Sequence, residues 1–162
     1  MLIVPLLLNI FVGIEMRVFE KIISGGQTGV DRAALDIALK LGIPCGGWCP
    51  KGRKAEDGEI DLNYPLKETD SPSYPVRTRK NVKDSDGTLV LTWGSPTGGT
   101  FDTIESAKKF KKPHLVVDLS ESSSSDVKKV LEWGRTNNVR VLNVAGPGRV
   151  RLPVFTTERL SF

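Results

Sequence analysis

Histidine occurs once in this 162-residue chain and cysteine twice, so the side chains that most often build metal and nucleophilic centres are scarce. A single histidine excludes a multi-histidine metal site and a Cys2His2 finger. Cys45 and Cys49 lie four residues apart, with no second cysteine pair and with His114 distant, which reads as two ordinary thiols and not a zinc site. Two cysteines cannot staple a secreted scaffold, which points to a reducing compartment and a cytoplasmic protein. Long hydrophobic runs are missing as well. Residues 1–14 carry no charge, yet a membrane span needs roughly 20 apolar residues. A signal peptide would need a basic n-region and a small-residue cleavage site, and neither is there. A start at Met16 opens directly into a strand, so residues 1–15 are expected to be a misassigned or non-native extension of a domain spanning 16–162. Excess charge is small: 23 basic against 19 acidic residues, net +4. That suits an anionic small ligand better than nucleic acid, which calls for a concentrated basic stripe.

What is present is a regular alternation of short apolar runs and amphipathic stretches. Residues 18–23 read as a short buried strand ending in the turn Ser24-Gly25-Gly26. Val30, Ala33, Ala34, Ile37, Ala38 and Leu41 then share one helical face, and Gly42 with Pro44 ends the helix. A second strand is expected from Ile43, dissolving at Gly46, Gly47 and Pro50 into a polar loop. Residues 64–68 are ambiguous, 77–84 read as a charged helix, and 88–93 as a strand. The turn Gly98-Gly99-Thr100 opens a helix that Pro113 closes, and 115–119 form a further strand. Ser122 to Ser125 with Asp126 can cap a helix carrying Val127, Val130 and Leu131, and 139–144 form the last strand. Such alternation requires right-handed crossovers and a parallel sheet covered on both faces. The expected fold is a single-domain, Rossmann-like α/β three-layer sandwich with a mainly parallel sheet.

Chemistry concentrates in turns at strand ends. Gly25, Gly26, Gln27, Thr28 and Gly29, followed by Asp31 and Arg32, join the first strand to the first helix. Glycines there let backbone N–H groups approach a ligand, and the helix N-terminus favours an anion. The spacing fits neither a P-loop nor GxGxxG. Asp31 reads as an acceptor for a ligand hydroxyl or amine, or simply as a helix cap. A second glycine turn, Thr97-Gly98-Gly99-Thr100, also joins strand to helix, and in an open parallel sheet the two can face a shared ligand. Lys51 and Arg53 are candidate phosphate clamps in the loop that also carries Trp48, although a solvated surface loop reads equally well. Arg77 and Asn81 sit where a charged helix could reach the same crevice. Glu105 is the best-placed carboxylate if chemistry occurs at all.

These residues carry a resemblance. The run from Ile22 to Asp36, the loop Gly46 to Gly58, the stretch Tyr74 to Thr88 and the Gly98-Gly99-Thr100 turn are similar to the family of proposed molybdenum cofactor carriers. That family resembles a circularly permuted branch of the SLOG group, Rossmannoid proteins that include the LOG (lysine-decarboxylase-like) and DprA-like proteins and bind nucleotide-derived ligands. The resemblance implies a homo-oligomeric carrier, dimer or tetramer, for a phosphate-bearing ligand. That ligand is the molybdenum cofactor (molybdopterin) or a nucleotide-like molecule, and molybdoenzymes are the implied partners. LOG relatives imply a rival activity, a nucleotide 5′-monophosphate phosphoribohydrolase with a PGGxGTxxE motif. Here the chain reads Pro96-Thr97-Gly98-Gly99-Thr100, then Thr103 and Glu105, displaced by one residue, which puts the catalytic role of Glu105 in doubt. The DprA branch implies a third reading, a nucleic-acid binder with steeply salt-dependent affinity.

The C-terminus departs from that family. Its members continue past Gly146-Pro147 with Arg-Glu-Ser, a short spacer, Pro-Gly-Ile/Val-Tyr and a closing helix. Residues 148–162 instead show no helical apolar face. Codons can be chosen under which a one-base shift after Pro147 restores the pattern, so a frameshift is the expected origin of this segment.

Overall fold

Short apolar runs separated by glycine turns pair side by side in the computed structural model, which describes residues 3–12 and 17–149. Along the chain the elements are α1 (Ile3–Val12), β1 (Lys21–Ile23), α2 (Val30–Lys40), β2 (Cys45–Gly46), β3 (Trp48–Cys49), β4 (Lys54–Ala55) and β5 (Gly58–Glu59). They continue with β6 (Lys67–Glu68), α3 (Tyr74–Asp84), β7 (Gly87–Thr92), α4 (Gly98–Lys109), β8 (His114–Asp118), α5 (Ser125–Thr136) and β9 (Val141–Ala145). The main sheet has the order β2-β1-β9-β7-β8 and is parallel throughout, with Ile22 beside Leu142 and Leu89 beside Val144. Two small ladders, parallel β3–β6 and antiparallel β4–β5, organise the loop after β2.

The strand order explains where a site can form. From β1 the chain steps outward to β2 through α2, and from β7 it steps outward the other way to β8 through α4. β9 enters last and fills the middle. A reversal of this kind opens a crevice beyond the carboxyl ends of the central strands.

Both faces of the sheet are covered, which is why its strands read as nearly continuous apolar runs. Every residue of β7 is buried. α1 packs on α2 and α5, and α3 packs on α4. In α1, Ile3, Leu6, Leu7, Ile10 and Phe11 recur at helical spacing and are all buried in the main core, along with Ile22, Val30, Ile37, Leu91 and Val144. The expectation for residues 1–15 concerned where the chain begins; as structure, Ile3–Val12 is a helix set into the core. Of the segment read as frame-shifted, residues 150–162 lie outside the described residues.

Local signals account for most boundaries. Gly42, at φ +66°, lets Ile43 N–H return to the Ala38 carbonyl (2.9 Å) and closes α2. α3 begins at Tyr74, earlier than the charged stretch suggested, because Pro75 occupies the first turn, where a missing N–H costs nothing. Asp126 accepts the Ser123 N–H (2.9 Å) at the start of α5. A second, smaller core of Leu35, Cys49, Ala55, Ile60 and Leu66 holds the loop after β2 onto α2.

Candidate functional site

The chain segments that leave β1, β7 and β9 meet around one cleft of about 340 Å3, at the lower end of the range for small-molecule sites. Gln27 and Asp31 come from the β1–α2 turn, Gly98, Gly99, Thr100, Asp102 and Thr103 from the start of α4, and Ala145 to Gly148 from the end of β9. Glu56 closes one side and Tyr74, Pro75, Arg77 and Thr78 of α3 close another.

The two glycine turns reach the cleft in different states. In the first, most backbone N–H groups already have acceptors. Gln27 N–H donates to Asp31 Oδ2 (3.3 Å), Thr28 N–H to Gln27 Oε1 (3.1 Å) and Val30 N–H to the Pro147 carbonyl (3.3 Å). Gln27 Oε1 also accepts the Glu56 N–H (2.9 Å), and the Thr28 hydroxyl donates to the Glu56 carboxylate. Gly25 N–H is a further donor to Asp31. The Asp31 carboxylate therefore occupies the anion position of its own turn. Gly29 (φ +81°) permits this, since a Cβ there would fall 2.5 Å from the Pro147 carbonyl oxygen.

The second turn is open. No side chain caps α4, and its first turn carries no acidic residue. Thr100 and Phe101 direct their N–H groups back to the Thr97 carbonyl (3.2 and 3.4 Å). Among the described residues, the Gly98 and Gly99 amides find no acceptor. A Cβ on Gly99 would meet nothing within 4 Å, and Gly98 and Gly99 both line the cleft. Amides of this kind at a helix N-terminus form an anion site.

Arg77 links the turns. Its guanidinium lies across Gly25, where a Cβ would come within 2.6 Å of Cζ. One Nη sits 3.8 Å from Asp31 Oδ2, and Nη1 donates to the Thr78 hydroxyl (2.9 Å). Arg77 Nε is buried without a hydrogen-bond partner among the described residues, a state that costs roughly 1–3 kcal/mol or more when a donor is left unmade. Burial pushes the Asp31 carboxyl up to about 6, against the opposing pull of Arg77, the Gln27 and Gly25 N–H groups and Arg32. The cleft thus holds a fixed cation, an acid that exchanges its proton near neutrality, and an uncapped helix start.

Several residues singled out by sequence stand elsewhere. Arg53 is buried, and its guanidinium donates to the carbonyls of Ile60 (2.9 Å), Leu66 (3.2 Å), Asp61 (2.7 Å) and Tyr64 (2.9 Å). It staples the loop with four of its five N–H donors, and it does not line the cleft. Lys51 is exposed at the tip of that loop, away from the cleft lining. Arg32 pairs with Asp57 (Nη2 to Oδ1, 3.1 Å) and the Gly26 carbonyl (3.1 Å), and its hydrogen bond holds Asp57 below the usual carboxylate range. Gly26 backs onto Leu66 and Ile60. Asn81 pins β3, accepting the Trp48 N–H (2.8 Å) and donating to the Trp48 carbonyl (2.9 Å). Trp48 is itself outside the cleft, with its ring 4.2 Å from the Lys80 ammonium. Glu105 pairs with Lys108 (3.0 Å) on the exposed side of α4 and does not line the cleft. Burial raises the Cys45 and Cys49 thiols, in keeping with two ordinary cysteines.

Tyr74, Thr78, Asp102, Thr103 and Glu56 were missed. For Asp102 and Thr103 the signal was available: one helical turn on from Gly99 falls at 102 and 103, not at 105. Glu56 reaches the cleft only through the β4–β5 turn, which no periodicity announces.

The fold is a doubly wound α/β domain with a candidate ligand cleft at the strand-order reversal. The chain belongs to the circularly permuted YpsA SLOG family, whose model matches residues 22–159. It is similar to the crystal structure of a putative molybdenum carrier protein from Syntrophus aciditrophicus SB. The two share 45% identity over 88% of this chain and 90% of that chain, with a TM-score of 0.83. A further solved structure, of (E)-4-hydroxy-3-methyl-but-2-enyl diphosphate reductase, matches at 11% identity with a TM-score of 0.35 and carries no argument. No curated protein matches significantly.

Proposed function

We propose that the cleft binds a small phosphate-bearing ligand with a nucleotide-like or pterin-derived ring, in the class of the molybdenum cofactor, and that the protein acts as its carrier. The observation that supports this most is the Arg77 side chain lining a cleft that the uncapped start of α4 also enters. A phosphate group seated there gives acceptors to Arg77 and to the Gly98 and Gly99 amides together. Asp31, already lodged in the first turn, keeps an anion out of it and accepts an N–H from the ring. Among the described residues no three His, Cys, Asp or Glu converge as a metal-binding set. In the carrier reading the molybdenum is held by its own organic ligand, with the protein gripping the phosphate end. The relative named as a molybdenum carrier favours this ligand class. The proposal extends to a cytoplasmic setting, self-association and hand-over to a molybdoenzyme.

Native mass spectrometry of the protein as purified tests it. A non-covalent phosphate-bearing ligand that is lost in Arg77→Met supports the carrier. One observation favours a second reading, hydrolysis of an N-glycosidic bond: Asp31, at about 6, can give up or take a proton near neutral pH inside the cleft. Sustained release of free base from nucleoside 5′-monophosphates, abolished in Asp31→Asn, would establish an enzyme in place of a carrier.

A further inference from the structure

The two edges of the main sheet are built differently. At one edge, β2 is two residues long and lies between Pro44 and Gly47. At the other, β8 runs five residues with neither proline nor lysine among them, two residues that blunt an edge strand, although Lys112 and Pro113 immediately precede it. No described strand pairs with its outer side. Its backbone direction follows from β7: Thr88 N–H donates to the Pro113 carbonyl (3.0 Å) and Leu119 N–H to the Thr92 carbonyl (2.7 Å). The odd-numbered residues of this stretch therefore face β7, and His114, Val116 and Asp118 turn their N–H and C=O groups outward. The side chains of these three residues share one face, on which Val116 is 39% exposed, while Val117 packs into the core.

We propose that a second copy of the chain pairs with this edge, β8 against β8, antiparallel, with Val116 on the two-fold axis. A two-fold contact demands a self-complementary surface, and the segment His114-Leu115-Val116-Val117-Asp118 has one. With Val116 opposite Val116, the imidazole of His114 in each copy stands beside the Asp118 carboxylate of the other, and the two Val116 residues exchange both backbone hydrogen bonds; the Asp118 carbonyl already accepts the Glu121 N–H (3.2 Å). Asp118 is held for this role, its Oδ1 accepting from Gly94 N–H (2.9 Å), Ser120 N–H (2.9 Å) and Ser120 Oγ (2.6 Å). Centring the pair on Asp118 would set two carboxylates together, and centring it on His114 would leave Asp118 unmatched. The pairing does not depend on what the cleft binds.

Sedimentation equilibrium of the full chain tests the surface. Native protein is expected to be a dimer in the micromolar range. Val116→Pro removes one outward N–H, which an edge position tolerates, and should weaken self-association by about tenfold or more, a change of about 1.4 kcal/mol. Val116→Lys sets two ammonium groups across the axis and should do the same while circular dichroism stays native. In a hydrogen-bonded antiparallel pair the Cα atoms stand about 5.5 Å apart, within disulfide reach. Val116→Cys should therefore form a disulfide-linked dimer on mild oxidation, with native protein, carrying only Cys45 and Cys49, as the control. A native monomer overturns the proposal. So does a dimer that both substitutions leave intact and that Val116→Cys fails to cross-link.

Discussion

Replacing Asp31 by asparagine removes a carboxyl group that is 3% exposed and is pushed up to about 6 from its ordinary 3.8. In the unfolded chain the group titrates near the ordinary value. Between the two values the folded protein holds a proton that the unfolded chain has shed. The stabilisation is therefore full below 3.8 and is lost as pH rises through about 6. A gap of about two units at about 1.4 kcal/mol per unit comes to about 3 kcal/mol. Asp31→Asn does not titrate, so the unfolding free energy of native protein minus that of the variant isolates this group. That difference should fall by about 3 kcal/mol between about pH 4 and pH 7. With a urea dependence of about 2 kcal/mol per molar, the two denaturation midpoints should move relative to each other by about 1.5 M. Urea titrations at several pH values read this directly. A difference that is flat, or that grows with pH, would refute the argument that burial outweighs Arg77 and the two backbone donors.

Other consequences follow from the packing. Leu7 is fully buried, so Leu7→Ala should cost about 2–5 kcal/mol in urea denaturation. A chain beginning at Met16 should bind a hydrophobic dye that the full chain excludes, and a dye-silent truncated form of unchanged stability would show that α1 is dispensable. Arg53→Met strands four carbonyls and should lose about 3 kcal/mol or more, with faster amide exchange across residues 53–66. Arg77→Met should weaken binding of phosphate-bearing ligands by about 10- to 100-fold, measured by calorimetry. Glu105→Gln should leave binding and any turnover unchanged, because its carboxylate faces Lys108 and not the cleft.

How much of this was legible depended on whether the signal was local. Apolar periodicity and the glycine and proline stops gave the α/β alternation, since Val30 to Leu41 and the buried run of β7 each declare themselves within one element. Both glycine turns were legible for the same reason, as was their placement on a shared crevice. What each turn does there was not. Nothing in the order of residues says that Asp31 folds back onto Gln27 and Gly25 and fills the first turn, or that Arg53 turns inward to four carbonyls. A buried, satisfied arginine and a phosphate clamp look identical in composition. The packing of α1 depends on contacts with α2 and α5, far along the chain, which an uncharged run too short to cross a bilayer does not announce. Long-range partners, not propensities, decided every such case.

An anion is expected to enter the cleft at α4 and Arg77 and not at the first glycine turn. An amide and guanidinium NMR titration of isotope-labelled protein with inorganic phosphate and with a nucleoside 5′-monophosphate measures this directly. Saturable shifts are expected at the Gly98, Gly99 and Thr100 amides and at the Arg77 guanidinium, with the Gln27 and Thr28 amides nearly still. Shifts centred on Gly25 to Gly29 with α4 silent would contradict it.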